Sequence, residues 1–87
     1  MLETPTELAA GIGARVKARR RALGLSQADA AQRAGVTYAT WRRLEGKGAA
    51  SIEVLARAAI ALRAEEGVRA LFPAPPARTL DELAGRR

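Results

Sequence analysis

The stretch "QADAAQRAGVTYATWRRL" runs from Gln27 to Leu44, and its small and apolar residues recur at helical intervals on either side of one glycine. Ala28, Ala31 and Ala34 make a small face, which predicts a helix packed closely on its neighbour, and Gly35 can adopt the left-handed conformation that stops it. Ser26 reads as the N-cap of that helix. Val36 and Thr37 lead into a second helix, predicted over Tyr38–Glu45, with Val36, Trp41 and Leu44 facing inward. The expected result is two helices crossing at a tight turn, with the second braced from inside.

Upstream, "TPTE" at Thr4–Glu7 reads as a helix start, with Thr4 as cap, Pro5 at the first helical position and Glu7 closing a capping box. Leu8, Ile12, Val16 and Leu23 follow helical spacing from there, and Gly24 ends the run. Gly11 and Gly13 each weaken a helix by roughly 1 kcal/mol relative to alanine, so regular helix is expected from nearer Ile12. Downstream, "GKG" at Gly46–Gly48 reads as a turn. Ser51 opens a fourth helix carrying Ile52, Leu55, Ala56, Ala59 and Leu62, and a fifth is expected over about Ala64 to Phe72. Pro73, Pro75 and Pro76 break the pattern, and "TLDEL" at Thr79–Leu83 carries another capping signature, which reads as the start of a short helix. No strand pattern, repeat or long heptad run is visible. The expectation is an all-α fold, with a five-helix domain over residues 1–72 and a proline-containing tail over 73–87.

With 87 residues and an apolar content dominated by alanine, the chain has little surface to bury, so helices must pack through small faces or a partner must extend the core. Cysteine and histidine are both absent, which removes disulfides, thiol nucleophiles, ordinary zinc sites and histidine bases together. No carboxylate pair is placed for catalysis either, so no enzyme, cofactor or metal is expected. No apolar run approaches the ~20 residues that span a bilayer, and "MLETPTEL" lacks a signal-peptide core; a cytoplasmic location is expected. The net charge of +6 favours a polyanionic partner such as nucleic acid.

With these residues in view, the segment from about Ile12 to Leu62, carried by "ARVKARRRALGLSQADAAQRAGVTYATWRRLEG", resembles the phage-repressor and Cro-like (XRE) family of helix-turn-helix domains. The resemblance implies a lambda-repressor-like fold and a regulator that binds double-stranded DNA, and so resides on the nucleoid. On the third helix Tyr38 lies four residues before Arg42 and Ala39 four before Arg43, forming two adjacent outer ridges. Such ridges fit the major groove, where Arg can bond guanine O6 and N7 and Ala39 can meet a thymine methyl. The alternative is an ordinary solvated face. Trp41 stands where the family usually has a medium aliphatic residue, so either the local core is enlarged or the indole is partly exposed.

The resemblance also places Ser26 and Gln27 against the DNA backbone at a helix N-terminus, with Thr37 and Thr40 in a similar position on the third helix. For Ser26 and Thr37 simple N-capping is the alternative, and one residue can do both. Lys47 either reaches a phosphate or is a solvated lysine. Of the basic residues of the first helix, Arg19 is the one expected to touch phosphate. Arg20 continues the Leu8–Ile12–Val16 stripe and falls on the buried face, where an unpaired guanidinium costs several kcal/mol. Glu45 is the candidate counterion, and the family commonly has an internal arginine–glutamate pair here.

One recognition helix reads about four base pairs, too few to select an operator, whereas two copies related by a two-fold axis read a palindrome. A homodimer built through Val68, Leu71 and Phe72, with Leu80 and Leu83, is therefore expected; intramolecular closure of a small core is the alternative for these residues. The expected function is a repressor acting on a palindromic operator. The tail "LFPAPPARTLDELAGRR" resembles the ends of some HipB-like antitoxins, which implies as an alternative an antitoxin that neutralises a toxin partner and represses its own operon.

Overall fold

The structure, a computed structural model, describes residues 2–76, and all regular structure among them is helical. The elements are α1 (Pro5–Ala22), α2 (Gln27–Ala34), α3 (Tyr38–Lys47), α4 (Ile52–Ala61) and α5 (Glu65–Arg69). None is long and apolar enough to cross a membrane.

Local chemistry fixes most of the helix ends. The Thr4 hydroxyl accepts from Glu7 N at 3.1 Å while Glu7 Oε1 accepts from Thr4 N at 2.9 Å, so the capping box starts α1 at Pro5. The two glycines therefore do not delay the helix to Ile12. Ser26, Thr37 and Ser51 each accept from the amide three residues on, capping α2, α3 and α4. Gly35 ends α2 at φ 71°, and the Val36 amide donates to Ala31 O at 3.0 Å. The helical run of α3 continues through Gly46 and Lys47, so only Gly48, at φ 67°, makes the expected turn. α5 is shorter than its apolar pattern suggests: Ala64, Leu71 and Phe72 fall outside it.

α1 packs on α3, α2 on both α3 and α4, and α5 on α4. The core consists of Ala30, Ala31, Ala34, Trp41, Leu44, Ala58 and Leu62, with Val16, Leu25, Val36 and Leu55 against it. The alanines let helices approach and Trp41, wholly buried, supplies the volume they lack. Truncating such a residue costs ~3–5 kcal/mol. Ala30, not Ala28, completes the buried face of α2, because a strict three-residue spacing drifts off a 3.6-residue helix while positions 27, 30, 31 and 34 stay on one side. Ile52, at the first position of α4, is 82 % exposed, and Ala58 and Ala59 take the buried places.

α1 departs furthest from its pattern. Its buried residues are Gly13 and Arg20, whereas Ile12 and Val16 are half-buried and Leu8 and Leu23 are exposed. Gly13 is where α3 touches α1: a Cβ there would lie 2.4 Å from Leu44 O and 2.7 Å from Glu45 O. A Cβ at Gly48 would meet Ala9 O even more closely. The glycines thus seat the C-terminal end of α3 directly on the backbone of α1.

Candidate nucleic-acid interface

Glu45 organises the inner side of α3. Arg20 donates to it from Nε at 2.5 Å (Oε2) and from Nη2 at 3.1 Å (Oε1), tying α1 to α3. Gln27 Nε2 donates to Oε1 at 2.9 Å, bringing in α2, and Trp41 Nε1 donates to Oε2 at 2.5 Å. The pair is sealed from water, with side-chain exposures of 9 % for Arg20 and 2 % for Glu45. Burial by itself pushes the Glu45 pKa up, but the hydrogen bonds from Arg20, Gln27 and Trp41, with the Arg20 charge, outweigh it and hold the carboxyl below its ordinary value. Arg20 Nη1 also donates to Leu25 O at 2.7 Å, so the guanidinium grips the loop before α2 as well. The larger residue at position 41 is accommodated fully buried because its polar N–H has this acceptor; the indole is not exposed.

The outer side of α3 is open. Tyr38, Ala39, Arg42, Arg43 and Lys47 are all exposed, and nothing among the described residues covers them. The Arg42 guanidinium lies 5.7 Å from the centroid of the Tyr38 ring, an arrangement in which cation and π face attract. The Tyr38 hydroxyl donates to Gln27 Oε1 at 3.4 Å, a long contact. Ala39, Arg42, Arg43, Gly46 and Lys47 line a shallow concavity of about 410 Å³. This is a positively charged depression on a protruding helix, suited to a polyanion's edge.

Around this helix the remaining candidate residues divide. Ser26 Oγ accepts from Asp29 N at 3.0 Å and, among the described residues, donates its own proton to none. Thr37 Oγ1 accepts from Thr40 N at 3.1 Å and donates to Thr40 Oγ1 at 2.9 Å, so the hydrogen of Thr40 is the one left to give. The amide side chain of Gln27 is held inward by Glu45 and Tyr38, and its backbone N–H, at the first position of α2, faces outward as a group available to an anion. Arg19 has a different role from the expected phosphate contact. Its Nε donates to Leu62 O at 3.0 Å and its Nη2 to Arg63 O at 2.8 Å, holding the turn just beyond α4, where Arg63 stands at φ 55°. Only the spacing of Arg19 on α1 was legible in the sequence, and nothing there announced carbonyls more than forty positions away. Val68 is half-buried, Leu71 is 47 % exposed and Phe72 is 96 % exposed, at φ 50°. Leu80 and Leu83 lie outside the described residues, as does the Thr79–Leu83 capping signature.

No curated protein matches the chain. The profile of a family described as a helix-turn-helix domain matches residues 12–72, well over half the sequence, from within α1 to beyond α5. α2, the Gly35 turn and α3 form the two-helix unit that this description names, with α3 presenting cations outward. By this match the chain belongs to the helix-turn-helix domain family, a DNA-binding architecture.

Proposed function

We propose that this protein is a sequence-specific transcriptional regulator that binds a palindromic operator as a dimer and represses by occupying it. The observation that carries the reading is the division of α3. Trp41, Leu44 and Glu45 are buried while Tyr38, Ala39, Arg42 and Arg43 stand exposed on the other side. In this reading Arg42 and Arg43 bond base edges, guanine above all, and Tyr38 and Ala39 meet bases or thymine methyls. Lys47, the hydroxyls of Ser26 and Thr40 and the backbone amide of Gln27 face phosphates and set the register, with Thr37 acting through the Thr40 hydroxyl that it orients. Residues 1–72 form the DNA-binding unit and 73–87 the tail. The second copy joins through the end of α5, where Phe72 projects into solvent beside Val68 and Leu71. Repression then needs no further activity, because a protein seated on promoter DNA excludes the polymerase.

Selection from a pool of random duplexes, followed by footprinting upstream of the protein's own gene, tests this. The expected result is a two-fold symmetric site with half-sites about 34 Å apart on one face of the duplex. Enrichment of a single asymmetric site speaks against the dimer, and no enrichment at all speaks against sequence-specific binding.

A further inference from the structure

The apolar stripe of α1 is left half covered. Ile12 and Val16 face a trough of about 310 Å³ whose other walls include Leu55, Leu62, Val68 and Leu71. Leu8, 53 % exposed, extends the same α1 stripe by one turn. Arg15 and Arg19 stand at the edge. Arg19 is occupied with the carbonyls of Leu62 and Arg63, whereas Arg15 forms no ion pair among the described residues. An apolar trough with a free cation on its rim selects an amphipathic occupant bearing carboxylates.

The sequence contains such a segment close by. In Thr79–Leu83, "TLDEL", two leucines three residues apart enclose Asp81 and Glu82, and Thr79 with Glu82 has the capping-box spacing. Leu71 itself lines the trough, and the chain bends immediately afterwards at Phe72. The linker from Phe72 to Thr79 can span up to about 25 Å at ~3.3–3.6 Å per residue, ample length to turn back onto a trough that begins at Leu71.

We propose that Thr79–Leu83 docks in the trough between α1, α4 and α5 of its own chain, with Leu80 and Leu83 against Ile12, Val16 and Val68 and a carboxylate of Asp81 or Glu82 at Arg15. The segment completes a core that this small, alanine-rich domain leaves open on one side. The docking covers Val68 and Leu71 and leaves Phe72 as the part of the α5 end open to a second copy; the outer face of α3 remains uncovered, so the docking is measured without DNA.

The full chain contains no cysteine, so an introduced pair reports a single contact. Val68→Cys combined with Leu83→Cys is oxidised alongside Ala28→Cys combined with Leu83→Cys, the control on the exposed side of α2. The expected result is a disulfide within one chain, formed several-fold faster for the Val68 pair than for the control and slowed by Arg15→Glu. In parallel, Leu80→Asp with Leu83→Asp is expected to shift the backbone amide resonances of Ile12, Val16 and Leu55 while helical content stays constant. A Val68–Leu83 disulfide that joins two chains puts a second copy in the trough and overturns the proposal. Equal rates for the two pairs, or unmoved trough resonances, overturn it as well.

Discussion

Trp41 donates its indole N–H to Glu45 Oε2 at 2.5 Å, one helical turn along α3, and both side chains are sealed from solvent. The same carboxylate receives Arg20 from α1 and Gln27 from α2. One anion thus fixes three helices, and the recognition surface of α3 takes its orientation from a buried charge on its opposite side. Replacing Trp41 with Phe keeps most of the volume but withdraws a donor from Glu45. The expected loss is ~1–3 kcal/mol in urea unfolding. An unchanged midpoint means that the indole N–H contributes nothing to the hold on α3.

The charge of Glu45 makes stability pH-dependent in a defined direction. Its pKa in the folded chain lies below the ordinary value of 4.5, since its hydrogen-bond donors and the Arg20 charge outweigh burial. A group whose folded pKa is depressed contributes its full stability above the unfolded value and loses it as pH falls through the folded value. Glu45→Gln leaves Arg20 buried without a counterion and is expected to cost ~3–5 kcal/mol at neutral pH. The gap in melting temperature between wild type and Glu45→Gln should narrow progressively below pH 4.5. A gap that is constant from neutral pH down through that range contradicts the assignment.

Two glycines on α1 should respond oppositely to alanine. At Gly11 a Cβ meets only Arg15 Nη1, at 3.7 Å, so Gly11→Ala gains ~0.5–1 kcal/mol from the stiffer helix. At Gly13 the Cβ runs into the carbonyls of Leu44 and Glu45, which are backbone and cannot swing aside. Gly13→Ala therefore destabilises and displaces α3, and DNA affinity falls with it. Thermal unfolding of the two variants side by side checks this, and a stabilised Gly13→Ala rules out the close approach.

Arg43 and Lys47 should separate by the kind of binding they lose. Arg43→Ala is expected to cost ~1–3 kcal/mol and to relax preference at one base pair per half-site. Lys47→Ala should weaken all duplexes alike and lower the salt slope by about one. Titrations on matched and mismatched duplexes at several salt concentrations distinguish them; a base-selective loss at Lys47 contradicts its phosphate role.

Much of the fold was legible in the sequence because it is written in local chemistry. Thr4, Ser26, Thr37 and Ser51 are caps whose partners lie three residues away, and the turn at Gly35 needs only one left-handed residue. What escaped depends on distant neighbours. Gly13 looks like a helix weakener until the Leu44 carbonyl is seen above it, and Arg19 looks like a surface cation until α4 ends beside it. Ile12 and Val16 fit a buried stripe by spacing, but spacing does not say whether a helix arrives to cover them. For the candidate interface, helical geometry alone put Tyr38 and Arg42 on one ridge, whereas the engagement of Gln27 by Glu45 required the tertiary structure.

Amide resonance mapping during titration with a selected duplex tests the central claim most directly. The account predicts that the largest perturbations fall on Tyr38, Ala39, Arg42, Arg43 and Lys47 and on the first turns of α2 and α3, and that Arg42→Ala with Arg43→Ala abolishes selectivity between duplexes without loss of fold. Perturbations centred on α5 or on the trough beside α1, with α3 silent, contradict it.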